Sequence, residues 1–452
     1  MGLGRVLSVC LLLAATAASA DPQSAAQVRD RALGDDTAWT ILESLTTEIG
    51  PRPAGSPAAA RARDWAVAKF TELGFRNIRV EAFPKTAWLR DGESAEVIAP
   101  FPHKLAMIGL GNAVPTPPEG ITAGLVVVGS LAELKAAPLG AFAGKIVLLN
   151  QPMTRTQDWR GYAAAVAGRQ AMPEAAKRGA VLFLVRSIAT GTGRAPHTGG
   201  IRPAKDGIPA AALGVPDADM LARMAARGPV TLRVQLASHV VNTTAWNVSG
   251  EIPGSDAPQE IVVAGGHLDS WDPGTGAIDD GAGVAITMAA AHLIDALPRH
   301  PRRTIRIVLW GSEETSGSGA AYLAAHRNEL SHIALVGESD LGADAVYSLQ
   351  LSPGAWAVPD IAPLEAVLAP LKIIASREPV GEAGSDVSGL QDAGVPAFLL
   401  NQDARRYFDY HHSADDTLAI VDPQQLKQNV AAWAATLAVL ADTTADLRKV
   451  KP

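Results

Sequence analysis

Seven side chains with nitrogen or oxygen donors stand at the ends of apolar segments: His267, Asp269, Asp279, Glu313, Glu314, Asp340 and His412. Two imidazoles and five carboxylates with no thiolate among them suit a catalytic zinc site, or cobalt or manganese in its place. Five direct ligands that share one carboxylate would hold two ions roughly 3.5–4 Å apart. The charges balance, because two divalent ions match three ligand carboxylates and one hydroxide. The adjacent pair Glu313-Glu314 is informative. Neighbours that leave a strand point in different directions, so one can bind metal while the other faces a bound water as general base. A metal-activated water beside a carboxylate is a means of hydrolysing an amide. Asp269 stands two residues after His267, on the same side of an extended chain, and is expected to orient that imidazole without binding metal itself.

These groups need rigid elements behind them. Ile261-Val262-Val263-Ala264 is short, apolar and β-branched, so it reads as a buried strand that ends in Gly265-Gly266 and presents His267. The Gly-rich stretch 274–283 delivers Asp279 and Asp280 to a helix that runs from Val284 to about residue 297. Thr304–Trp310 is a second strand, ending in Glu313-Glu314, and Ile333–Val336 a third, ending in Glu338-Ser339-Asp340. Open α/β sheets place their sites at the carboxyl ends of strands, and three in succession here deliver acids or histidine. His412 follows a core strand at 395–400, and a closing helix starts at Pro423. Towards the N-terminus, Ser56 caps a helix with Pro57 at its first position.

A chain of 452 residues suggests two domains, one of them inserted in the other. Between about 115 and 240 strands and loops recur with no acid or histidine cluster, and 190–207 is a Gly/Pro/Thr-rich loop. A net charge of −7 with no basic run gives no sign of a nucleic-acid partner. Residues 1–20 read as a signal peptide, with Arg5, an apolar run and Ala18-Ser19-Ala20 as the cleavage site. The only cysteine, Cys10, lies in that leader, so the mature chain holds no disulfide. The expected product is exported, periplasmic or secreted, and free of the membrane once the leader is cut.

The ordered motifs resemble the co-catalytic dizinc exopeptidases of the aminopeptidase and glutamate carboxypeptidase type, nearest the carboxypeptidase Q branch. They are His267-x-Asp269, Gly276-x-x-Asp279-Asp280-x-x-Gly283, Glu313-Glu314, Asp340 after a strand, and His412-Ser413-x-x-Asp416. The branch is marked by Gly265–Asp272, Ile49-Gly50-Pro51-Arg52 and the paired His411-His412. The resemblance covers nearly the whole mature chain. It implies an α/β fold: a mixed-sheet catalytic domain flanked by helices, made of 21–114 and 241–452, with a β-rich protease-associated domain inserted at 115–240. It also implies two zinc ions bridged by Asp279, one with His267 and Asp340, the other with Glu314 and His412. Glu313 becomes the general base and acid, the Asp279–Asp280 peptide is expected to be cis, and the chain to form a homodimer. The substrates implied are dipeptides or short peptides. The alternatives are an aminopeptidase on longer peptides, a non-catalytic binding relative, which would need lost ligands although all five are present here, and a cyclase of the glutaminyl type.

Other residues invite simpler readings. His411 competes with His412, which is preferred because Ser413 and Asp416 align after it. Asp280 and Asp386 read as helix caps, and Trp271 as a packed aromatic. His292, His300, His326 and His332 show no partner pattern and are expected to serve at the surface or in packing.

Overall fold

The computed structural model describes residues 22–450. The signal-peptide reading of 1–20, and Cys10 within it, lie outside the described residues.

The apolar runs form one eleven-stranded mixed sheet. Its catalytic half pairs Ile333–Glu338 and Arg303–Trp310 in parallel on either side of Ala257–His267. The long strand Thr231–Ile252 joins Arg303–Trp310 antiparallel and carries the sheet onward. Side chains alternate between faces, as an extended chain requires. Val262, Ala264, Ile305, Ile307 and Leu309 enter one core with helices Pro57–Glu72, Ala282–Asp295 and Pro423–Asp442. Val263, Val308 and Trp310 enter the opposite core with Tyr322 and Leu390. The three parallel strands of the catalytic half are almost wholly buried, which explains why they read as largely apolar runs. Helical stretch Ala277–Asp295 is apolar and long enough to cross a membrane by length and composition, and it is almost wholly buried in the core.

Arg76–Ala99 and Thr231–Ile252 form an antiparallel ribbon along most of their length. Only a short strand at 77–81 is expected from the sequence. The ribbon runs on because its outer half reaches a second packed region. There, Ile121–Val128, Ile146–Leu149, Leu182–Arg186 and Ala210–Leu213 pair in parallel. The same alternation divides them, with Ile146, Leu148, Leu182 and Leu184 in one cluster and Val147, Leu149, Phe183 and Val185 in another. Parallel neighbours need crossover connections, and four helices accompany the four strands between Ile121 and Ala225. The segment is therefore α/β in composition, not β-rich. Its two clusters also draw on residues from 95 to 113.

The sequence predicts a single helix from about 160 to 176, and the chain instead forms two, Arg160–Arg169 and Met172–Lys177, with Pro173 opening the second. The Gly265-Gly266 pair does not end its strand, which continues to His267. Glycine is required there by close approach: a Cβ on Gly265 would lie 1.8 Å from the Val308 carbonyl oxygen, and one on Gly266 2.4 Å from Asp280 Oδ2.

Candidate active site

The carboxyl ends of the three catalytic strands meet the loop that bears His411 and His412. Asp279 lies between the imidazoles. Its Oδ1 is 3.0 Å from His267 Nε2 and its Oδ2 3.1 Å from His412 Nε2. Asp340 Oδ1 lies 3.4 Å from the same His267 nitrogen, and Glu314 Oε2 2.9 Å from the same His412 nitrogen. The structure thus brings together all five residues read as metal ligands. His411 Nε2 is further from Asp279, at 3.5 Å, and its ring stacks on His412 with centroids 3.5 Å apart.

The far side of each imidazole fixes its tautomer. His267 Nδ1 is 2.9 Å from the Asp269 carbonyl oxygen, and His412 Nδ1 is 3.3 Å from that of Thr198. A carbonyl only accepts, so Nδ1 carries a proton in each ring and Nε2 is the nitrogen turned towards the carboxylates. Asp269 does hold His267, but through its backbone. Its carboxylate is 3.6 Å from His267 Nδ1, and its Oδ1 instead accepts from the Glu313 backbone N–H at 2.9 Å. Glu313 is further held by the Ser385 hydroxyl, which donates to Oε1 at 2.5 Å.

The loop of Asp279 is fastened from below. Asp416 Oδ1 accepts from the N–H groups of Ala277 and Ile278 at 2.9 and 2.8 Å. The peptide Asp279–Asp280 is cis. Asp280 behaves as the expected cap, accepting from Gly283 N at 3.0 Å, and with its other oxygen it accepts from His267 N at 2.9 Å. Asp386 is different. It caps the helix Ser318–Ala325 instead of its own, accepting from Ser318 Oγ at 2.6 Å and Gly319 N at 2.7 Å. Trp271 is buried as expected, its ring tilted against His412.

Three contributors carry no role in the sequence reading. Arg52 is fully buried and donates to the carbonyls of Leu268, Thr275 and Gly276, tying the strand end to the Asp279 loop. Lys85 reaches the carbonyls of Thr315 and Ser316 just past Glu314. Glu338 is buried beside the site and accepts from Asp386 N at 3.0 Å. Two of them left a signal that could have found them: Arg52 closes the motif Ile49-Gly50-Pro51-Arg52, and Glu338 stands two residues before Asp340 at a strand end.

The electrostatics call for cations. Burial lowers both imidazoles, but the carboxylates outweigh it and push His267 and His412 well up. Burial and Asp279 push Glu314 up to about 7. Glu313 is raised well above the carboxylate range by burial, which His267 offsets only in part while Asp340 and Glu314 add to it. Asp279 is held low, its burial overcome by His267 and His412. Asp279 Oδ2 and Glu314 Oε1 are buried without a hydrogen-bond donor. Buried carboxylate oxygens of this kind need a partner, and a divalent ion between aligned Nε2 and carboxylate oxygens supplies one. The donor set therefore fits a divalent metal. A cavity of about 720 Å³ opens over these groups. Trp159, Tyr162 and Arg169 from the second packed region line it together with Asp279, Glu313 and His412.

Comparison with known proteins agrees with this picture. Residues 247–437 match the model of Peptidase family M28. Carboxypeptidase Q of Mus musculus is 38% identical over 411 residues, covering 89% of this chain and 85% of that protein. The crystal structure of a peptidase M28 precursor from Shewanella amazonensis SB2B is 40% identical, with a TM-score of 0.92, over 95% of this chain and 99% of that one. A zinc aminopeptidase from Bacillus subtilis shares the fold at 18% identity and a TM-score of 0.64, over 92% of this chain and 98% of that one.

Proposed function

The chain belongs to peptidase family M28, and on that premise we propose that it is an exported zinc metallo-exopeptidase of dipeptides or short peptides. His267 and Asp340 would hold one ion, Glu314 and His412 the other, with Asp279 shared between them. The observation that carries this reading is Asp279 itself, with one oxygen turned to each imidazole. Two bound ions would polarise the peptide carbonyl and activate a water for attack on it.

The remaining steps belong to the chain. Glu313 Oε1 is occupied by the Ser385 hydroxyl, so Oε2 is the oxygen left to take the proton of the attacking water. The same oxygen serves the next step, in which Oε2 returns the proton to the departing amine as the C–N bond breaks. Asp269 keeps Glu313 in place through its backbone N–H. The segment 115–240 is read as the protease-associated module, and its contribution here is a wall of the cavity. Export rests on the first twenty residues.

The test is release of free amino acids by the zinc-loaded mature protein from matched free and N-acetylated dipeptides. Cleavage of both shows recognition of the carboxyl end, as expected of a carboxypeptidase. Cleavage of the free dipeptides alone points to a dipeptidase or aminopeptidase. If neither is cleaved, the peptidase reading fails and the cyclase and binding-relative readings take its place.

A further inference from the structure

The two imidazoles read as metal ligands are held by different parts of the molecule. His267 is fixed within the catalytic half, its Nδ1 facing the Asp269 carbonyl and its backbone N–H donating to Asp280. His412 stands on a loop at a left-handed φ of 60, a conformation uncommon outside glycine that persists where surrounding contacts impose it. Those contacts come from the second packed region. The Thr198 N–H donates to the His412 carbonyl at 3.0 Å, and the Thr198 carbonyl accepts from His412 Nδ1 at 3.3 Å. Thr198 is held in turn by its hydroxyl, which donates to the Gly109 carbonyl at 2.8 Å.

The same loop is fastened again three residues before His412. Asp409 receives a planar fork from Arg155, with Nη2 to Oδ1 at 2.7 Å and Nη1 to Oδ2 at 3.1 Å. The Thr190 hydroxyl donates to that Oδ1 at 2.7 Å, and the Thr190 N–H donates to the Phe408 carbonyl at 3.1 Å. Tyr162 stacks on Phe408, with ring centroids 5.0 Å apart. Arg155, Tyr162, Thr190 and Thr198 all lie between strands Ile146–Leu149 and Ala210–Leu213. Tight turns close the stretch from Asp409 to His412: the His411 N–H donates to the Tyr407 carbonyl and the Ser413 N–H to that of Tyr410. A shift of Asp409 is therefore carried to His412. Arg155 is partly exposed, so the worth of its fork lies in fixed geometry more than in Coulomb energy.

We infer that Asp409, gripped by Arg155 and Thr190, is a positioning residue for the metal position of Glu314 and His412. That position depends on the second packed region being docked, whereas the position of His267 and Asp340 does not. This rests on the two-ion reading above and adds that the two positions are unequal.

The metal-free protein is to be titrated with zinc by calorimetry and with cobalt(II) by visible absorption, which reports the geometry around the ion. Neither readout needs turnover. Asp340→Ala and His412→Ala identify which binding step belongs to which position. The wild type is expected to take two ions. Asp409→Asn and Arg155→Gln should each weaken the His412 step by roughly 10- to 100-fold, the usual range for groups that orient a ligand, and alter its cobalt spectrum. Arg155→Lys should keep part of the affinity. The Asp340 step should be unchanged in all three, which also shows that the variants are folded. Equal weakening of both steps in Asp409→Asn, or of neither, overturns the inference, as does a loss confined to the Asp340 step. If the wild type takes a single ion, the two-ion reading fails. The inference then stands if His412→Ala removes that ion and Asp409→Asn weakens it, and falls if they do not. If the wild type takes no ion, both fall together.

Discussion

Glu313 and Glu314 are neighbours in sequence, yet their carboxylates meet different partners. Glu314 Oε2 faces His412, while Glu313 Oε1 accepts from Ser385. The pair divides its work because consecutive side chains diverge. Glu313→Gln should lower kcat by roughly 10²- to 10⁴-fold, the usual contribution of a general base, while two zinc ions per chain remain by emission spectroscopy. Retained turnover would remove Glu313 from the mechanism. Asp279→Ala takes away both oxygens between the imidazoles and should lose zinc from both positions. A chain that still holds two ions after that substitution has no shared ligand at Asp279. Asp269 shows how far spacing alone reaches. Its place two residues from His267 is legible, but the partner of its carboxylate is Glu313, supplied by another strand.

At the scale of elements, apolar runs identified the catalytic strands because burial on both faces leaves them few polar positions. Helix 57–72 was equally plain, since Ser56 accepts from Ala59 N at 3.1 Å and Pro57 follows it. What escaped was any feature made between elements. His326 has no partner pattern in sequence, yet it is buried between Glu81 on the long ribbon and Glu329, at 2.8 and 3.0 Å. Burial lowers its affinity for a proton, but the two hydrogen bonds outweigh this and raise it above the ordinary histidine value. Its contribution to stability is thus complete below about pH 6.5, the unfolded value, and is lost as pH rises through the higher folded value. The urea midpoint of the wild type should fall between pH 6 and pH 9 by more than that of His326→Gln. Equal falls in the two proteins would show that His326 does not couple protonation to folding.

For the whole molecule, the sheet carries a catalytic half and a second packed region that share the ribbon of Arg76–Ala99 and Thr231–Ile252. The cavity lies where both contribute walls, so the second region bears on which substrates fit. The catalytic half buries Asp279, Glu313, Glu314 and Asp340 close together, and their mutual repulsion without ions opposes folding. Chelation of the zinc-loaded protein should therefore lower its Tm. Restoring zinc to about 100 times its Kd should return about 2.7 kcal/mol of stability for each independently bound ion. A Tm indifferent to chelator would mean that the acids are balanced by some other means.

The sequence by itself determined the donor set, its order and the strand ends that carry it, because ligand chemistry depends on residue type and burial on local pattern. It also carried the resemblance to dizinc exopeptidases, through motifs that remain in order along the chain. Only the tertiary structure decided which oxygen meets which nitrogen, that Asp386 caps a distant helix, and that Arg52 ties the strand end to the Asp279 loop. Asp409 belongs with these, since nothing near it in sequence marks it as the partner of Arg155. Such contacts join residues tens to hundreds of positions apart, and their geometry exists only once the chain has folded around them.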